Sequence, residues 1–280
     1  MTLKTLPVGE YWLKVEGEHG QSERIGQLRL VLADQPRLVF MHIAKAAGST
    51  VNAYLASHYA KGSFLLHLES EKAWRSDPAS LQKYDLLSGH VGLHSLQRRL
   101  GLSQYRLVTV VREPYAQLYS HLAWIRRLSD PGEELRLSRH PDYIKTFSRK
   151  LADCDFSHPA DLRRLIASLD DAERQLVDNC QVRYFARVEA GARVDAGSLA
   201  AALAGVRQFD RIGLAEQLDR FLAELAAELG WPAPTLVARE NVTSSFYGLQ
   251  DAGIRVRTAL KPLVRYDIQL YDFIRRRQDP

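Results

Sequence analysis

Residues 42–50, His-Ile-Ala-Lys-Ala-Ala-Gly-Ser-Thr, put one positive charge, a run of small residues and two hydroxyls into a short stretch. The stretch grows out of PRLVFMHI, an apolar run suited to a buried strand. It leads into STVNAYLASHYA, where Val51, Tyr54, Leu55 and Tyr59 recur at helical spacing. A loop that ends a strand and starts a helix aims backbone N–H groups and the positive end of the helix dipole at one point. Ala46, Ala47 and Gly48 let an anion approach the backbone, Lys45 adds charge, and Ser49 and Thr50 add donors. The chemistry is that of a phosphate or sulfate site. In G-x-x-x-x-G-K-[ST] the lysine follows the last glycine and reaches the β and γ phosphates of a triphosphate. Lys45 instead precedes Gly48, and no apolar strand ends in an aspartate that could hold Mg²⁺. An ordinary nucleoside triphosphatase is therefore disfavoured.

A second anion reader lies in VVREPYAQLYSHL. Arg112 ends a β-rich run, YRLVTVVRE, and Ser120 follows eight residues later in a helix opened by Pro114, so both can converge on a second phosphate. Arginine is permanently charged and binds phosphate through two donors. Between the two units, YDLLSGH predicts a short strand with His90 at its tip, where a neutral imidazole can accept a proton near neutral pH. His94 is a candidate for acceptor binding or for support of His90, and His42 is expected to order the end of its strand.

These residues need a scaffold that gathers strand ends. Strand-loop-helix units around 36–60 and 105–127 predict an α/β fold: a P-loop-like, three-layer arrangement with a central parallel sheet flanked by helices, ligands sitting at the carboxyl ends of the strands. YWLKVEG and GQLRLVLA, with a polar glycine-rich turn between them, predict an accessory N-terminal β-hairpin within 1–35. The remaining 36–280 would carry nucleotide and acceptor in one domain. PGEELRLSRHPD is expected to be a mobile loop, followed by helices around 142–153, 159–168 and 170–186. FDRIGLAEQLDRFLAELAAELG predicts a short strand and a helix closed by Gly230. A last helix carries Val264, Ile268, Tyr271 and Ile274.

A chain of 280 residues with 46% hydrophobic content can bury a substantial core. Cys154 and Cys180 are too few for a disulfide framework and lack the neighbouring histidines of a zinc site, so both are expected reduced and no metal is expected. No stretch approaches the roughly 20 apolar residues of a membrane span, and a cytoplasmic location is expected. A net charge of +5 suits an anionic ligand without making a polycation. The pairs Arg98-Arg99, Arg126-Arg127 and Arg163-Arg164 and the run Arg275-Arg276-Arg277 read as solvated helix faces, so nucleic acid is not an expected partner.

HIAKAAGST resembles the 5′-phosphosulfate loop of sulfotransferases, commonly His-x-Pro-Lys-Thr-Gly/Ala-Gly-Thr/Ser-Ser/Thr. VVREPYAQLYSHL resembles their 3′-phosphate motif, an Arg-[Asp/Glu]-Pro with a serine eight residues after the arginine. LLSGHVGLH, DNCQVRYF and RIGLAEQLDRFLAEL resemble further segments of the carbohydrate O-sulfotransferases of the heparan sulfate 2-O and chondroitin type, so the likeness runs from about 37 to 275. The resemblance implies the donor 3′-phosphoadenosine 5′-phosphosulfate, with 3′,5′-ADP as product, and in-line transfer of a sulfuryl group to a hydroxyl of a carbohydrate or polysaccharide, anionic glycans included. It implies Lys45, Ala47, Gly48, Ser49, Thr50, Arg112 and Ser120 as donor contacts, with Lys45 and His90 catalytic. Arg183, Arg239 and Asn241 are candidate acceptor or nucleotide contacts, and 61–83, 128–145 and 235–250 are candidate acceptor loops. Trp74 and Trp124 could stack on sugar rings, although Trp124 is expected to be buried in its helix. Three positions depart from the pattern: Ala44 stands for a proline, Ala46 for a threonine, and Ser88 for the first of two histidines. The alternatives left open are a kinase with a variant phosphate loop and a non-catalytic nucleotide-binding protein of the same fold.

Overall fold

The computed structural model of the chain describes residues 9–16, 22–30, 35–232, 234, 249 and 252–278. Strands β1 (Gly9–Glu16) and β2 (Ser22–Leu30) pair antiparallel as the expected hairpin. Five strands form the central sheet: β3 (Leu38–Met41), β4 (Phe64–Leu65), β5 (Leu86–Gly89), β6 (Arg106–Val111) and β7 (Arg211–Leu214), in the order β4-β5-β3-β6-β7, all parallel. Helices α1 (Gly48–Ala56), α2 (Lys72–Ser76), α3 (Leu93–Arg99), α4 (Pro114–Arg127), α5 (Glu134–Ser138), α6 (Asp142–Ala152) and α7 (Pro159–Ala167) surround it. They are joined by α8 (Asp171–Val177), α9 (Cys180–Phe185), α10 (Ala196–Val206), α11 (Leu218–Leu229), α12 (Ile254–Leu260) and α13 (Arg265–Gln278).

Alternation along each strand sends side chains to both faces of the sheet, and both faces are buried. Leu38, Phe40, Leu86, Val108 and Val110 pack with Val51 and Leu55 of α1 and Phe221 and Leu222 of α11. Val39, Met41, Leu87, Leu107 and Val111 pack on the other side with residues of α3, α9, α10 and α13. A third cluster joins Leu118 and Leu122 of α4 to α6, α7 and α12. The three-layer α/β fold expected from the sequence is the one found.

Local structure departs from expectation at three places. The stretch 131–142 is not loop throughout, because α5 forms within it. Phe64–Leu65 adds an edge strand that the sequence does not announce. The single helix expected over 170–186 is split into α8 and α9, because Asn179 takes a left-handed backbone, φ 47°.

That break is an anchor. Asn179 Oδ1 accepts from the N–H of Tyr266 at 2.7 Å and of Asp267 at 3.2 Å, capping the start of α13. The Asp267 carboxylate in turn accepts from Gln181 and Val182 N–H at 3.2 and 2.8 Å, at the start of α9. Burial raises the Asp267 carboxyl to about 7 although those N–H groups pull it down. Gln181 then bridges to the sheet: its Oε1 accepts from Arg112 N–H at 2.9 Å and its Nε2 donates to Arg112 O at 2.8 Å. The backbone of Arg112 is thereby held by a helix pair far along the chain.

Arg183 belongs to the same anchor. Its Nη2 donates to Asp178 Oδ2 and to Ala192 O, each at 2.7 Å, and its Nε to Asp178 O at 2.8 Å. Its side chain is 10% exposed and that of Asp178 8%. Removing one member of a buried pair leaves the other charge uncompensated. Arg183→Ala should cost roughly 3–5 kcal/mol in a urea unfolding titration.

Candidate functional site

Register sets the site. Met41 pairs with Gly89 on one side and Thr109 on the other, and Thr109 Oγ1 donates to Met41 O at 2.7 Å. His42 and His90 therefore leave the sheet side by side, and β6 runs on two residues further before Arg112. From His42 the chain turns sharply into α1. Lys45 and Ala47 take left-handed backbones, φ 63° and 61°. Each such residue with a Cβ stores about 1–2 kcal/mol. The turn ends at Gly48, and no side chain caps the start of α1. Gly48 itself is required by sterics: a Cβ there would lie 1.9 Å from His42 Cδ2 and 2.0 Å from His42 Nε2.

His42 and His90 stack with centroids 4.1 Å apart, tilted by 38°. His90 Nδ1 lies 2.7 Å from the His42 carbonyl, which can only accept, so the proton is on Nδ1 and the lone pair on Nε2. Glu69 Oε2 accepts from the His90 backbone N–H at 2.8 Å, and the Tyr184 hydroxyl lies 3.5 Å from His90 Nδ1. His90 is exposed at the rim of the corner, and the partial dehydration of its ring lowers its pKa below the ordinary histidine value, with Glu69 and the His42 carbonyl opposing. His42 is buried and its pKa falls to about 2, through burial first and then the nearby His90, His67 and Lys45. It is neutral at any physiological pH.

The loop is clamped from the other side by α4 and the Arg112 side chain. Gln117 Nε2 donates to Ala44 O at 3.0 Å, and Arg112 Nη1 donates to Lys45 O at 3.1 Å. On the Gln117 face of α4, one and two turns on, lie His121 and Trp124. Lys45 Nζ stands 6.0 Å from the Trp124 ring centre, and His140 meets that ring edge-on at 5.5 Å. His121 is buried with Nδ1 lacking a hydrogen-bond partner, its pKa lowered to about 3 by burial and by Lys45 and His90. Partial burial lowers the Lys45 ammonium to about 8, and Arg127, Arg112 and Arg136 add to the effect. Among the described residues no carboxylate forms an ion pair with Lys45. The result is a concentrated positive field beside neutral histidines.

The structure thus gathers Lys45, Ala47, Gly48, His90 and Arg112 around one strand-end corner. Ser49 is half-buried in the first turn of α1 and Thr50 is buried beside it. Ser120 lies on α4 at 2% exposure. His94 sits in the first turn of α3 with Nε2 buried and unpartnered. Trp74 is in the core under Arg99, whereas Trp124, expected to be buried, is half-buried beside Lys45. Arg239, Asn241 and most of the 235–250 loop lie outside the described residues. The sequence did not single out Asn52, Glu69, Gln117, His121, Arg136 or Tyr184; Gln181 lies in the DNCQVRYF segment, and the pair Arg126-Arg127, expected on a solvated face, is half-buried. For Gln117, His121 and Trp124 the i, i+4, i+7 spacing on α4 was an available signal; the others reach the site only through tertiary packing.

No family model and no curated protein matches the chain. Among solved structures the chain is similar to a crystal structure of a sulfotransferase from Alicyclobacillus acidocaldarius. Identity is 13% and the TM-score 0.38, over 83% of this chain and 97% of that one.

The tight contact at Gly48 yields a test of the corner. Gly48→Ala should push the His42 ring off the start of α1 and cost on the order of 1–3 kcal/mol, as overpacking typically does, read from the urea midpoint.

Proposed function

We propose that the strand-end corner transfers a sulfuryl group from 3′-phosphoadenosine 5′-phosphosulfate to a hydroxyl of a carbohydrate acceptor. The observation that carries this is the bond from Arg112 Nη1 to the Lys45 carbonyl, which ties the second anion reader to the loop that presents the first. The uncapped first turn of α1 and the small residues of the loop fit a 5′-phosphate. The Arg112 guanidinium, joined to the loop through Nη1, is assigned to the 3′-phosphate, and Ser120 to the same group. His90 Nε2 takes the proton of the acceptor hydroxyl as its oxygen bonds to sulfur. The bond from sulfur to the bridging oxygen breaks, its electrons stay with the departing nucleotide, and Lys45 neutralises the charge that develops there. Positioning and charge compensation do most of the work, as in phosphoryl transfer.

Arg127 and Arg136 add to the positive field at Lys45 beyond what the donor needs, and Lys45 lies by the ring of Trp124. They suit an acceptor that carries its own carboxylate or sulfate, with a sugar ring against Trp124 and His140. The protein would act as a single-domain enzyme.

Titration with 3′,5′-ADP tests the assignment. Wild type should bind it and should not bind ATP with Mg²⁺ in its place. Lys45→Ala and Arg112→Ala should each weaken binding by about 10- to 100-fold, the value of roughly one charged hydrogen bond. Unweakened binding in both variants would sink the assignment.

The lowered Lys45 pKa adds a pH signature. The charged form binds the anion, so affinity should decline as pH rises through about 8. Stability of the free protein should move the other way. Folding disfavours the charged form, and the unfolded chain binds more protons between about 8 and the ordinary lysine value of 10.5, so stability rises with pH across that window. Calorimetric titrations of nucleotide and urea melts at several pH values would show the opposed trends.

His90→Ala should keep 3′,5′-ADP affinity and lose about 10²- to 10⁴-fold in transfer of ³⁵S to acceptor. Equal transfer by wild type and variant would remove His90 from the reaction.

A further inference from the structure

Ser88, Asn52 and His42 form a chain of polar side chains, 1%, 5% and 5% exposed, that neither the anion site nor the transfer step has used. Ser88 Oγ donates to Asn52 Oδ1 at 2.6 Å, and Asn52 Nδ2 faces His42 Nδ1 at 3.4 Å. With the amide oxygen taken by the Ser88 hydroxyl, the amide N–H is the group turned to the ring. His42 Nδ1 is then an acceptor, and the ring proton sits on Nε2. At its other end the chain reaches His90, through the 2.7 Å bond to the His42 carbonyl and the ring contact at 4.1 Å.

The three residues come from β5, α1 and the end of β3, the elements that carry the base, the anion loop and the centre of the sheet. Buried polar groups at such a junction cost stability unless each is satisfied, and a satisfied network fixes one arrangement. What this one fixes is the edge of His42, which fills the space a side chain at Gly48 would take, and the face of His42, which backs His90. A rotated His42 would lose both contacts.

We propose that His42 is the second histidine of this centre, a positioning residue that acts through His90. Ser88 and Asn52 lock its ring, and its ring and carbonyl together set the plane of His90 and leave His90 Nε2 as the proton-accepting atom. This rests on His90 being the base, as proposed above. The titratable groups around His90 are Glu69 and His67 ahead of β5, Lys45 in the loop, Tyr184 on α9, His121 on α4 and His42 itself.

Long-range ¹H–¹⁵N spectra of the histidine rings in the full ¹⁵N-labelled chain, recorded without ligand from about pH 5 to about pH 9, test the idea across the ordinary histidine range. Wild type should show His42 protonated on Nε2 throughout and His90 protonated on Nδ1. In Asn52→Leu and Ser88→Ala, His90 should become a mixture of tautomers, and its midpoint should rise towards the ordinary histidine value. Ser88→Ala removes a single hydroxyl and keeps the test decisive where Asn52→Leu does not fold. A variant with a lower melting temperature but an unchanged His90 tautomer and midpoint makes the chain merely structural and overturns the proposal. Wild-type His42 protonated on Nδ1 overturns it too. Titration of wild type with 3′,5′-ADP reads the functional assignment separately: failure to bind sinks the donor but leaves the histidine spectra interpretable.

Discussion

The pairing of Met41 with both Gly89 and Thr109 decides where everything else can be. A parallel strand held on both sides cannot slip by one residue without turning its buried set to the wrong face. Here Leu38 and Phe40 would exchange layers with Val39 and Met41. The height of the strand ends is therefore fixed by the core, and with it the adjacency of His42 and His90. The hydrogen bond from Thr109 to Met41 O reinforces the same height from β6. The position of Arg112 adds a second constraint, since Gln181 saturates both its backbone groups and Gln181 depends on the mutual capping of α9 and α13. The guanidinium alone is left to reach across to the Lys45 carbonyl.

On this rigid frame sits a corner that is unfavourable by itself. Two residues with a Cβ hold left-handed backbones, and an ammonium is partly dehydrated among three guanidinium groups. Local strain persists when the surrounding structure over-determines it. The like charge is a different matter, because any anion drawn to the start of α1 would offset the crowding of cations around Lys45. The neutrality of His42 matters in the same balance. A charged ring there would add to the field at Lys45, and burial prevents it.

How much of this was legible in the sequence follows the range of the interactions. The strand-loop-helix unit around 36–60, the strand tips of His90 and Arg112 and the parallel α/β sheet rest on local pattern, and the described residues carry them. The break at Asn179 was hidden because apolar periodicity continues across 170–186. What overrides it is a contact with Leu263, Tyr266 and Asp267, more than eighty positions away. Arg183, a candidate acceptor or nucleotide contact from the sequence, is occupied within the fold for the same reason, since Asp178 and Ala192 become its partners only once α9 is folded back. Glu69 and Asn52 carry no motif, and their roles exist only at the junction of β3, β5 and α1.

The two alanines of the loop find their reasons at the same level. Proline at position 44 would have no N–H, whereas Ala44 N–H donates to the Tyr184 hydroxyl at 3.3 Å. That bond places the tyrosine beside His90, so a more flexible residue is exchanged for a contact between the loop and α9. Ala46 is 1% exposed and packs into the core beneath the loop, where a threonine hydroxyl would need a partner. The left-handed residues on either side of Ala46 orient the backbone of the turn, so conformation at Lys45 and Ala47, and not a side-chain donor at 46, sets the shape of the loop.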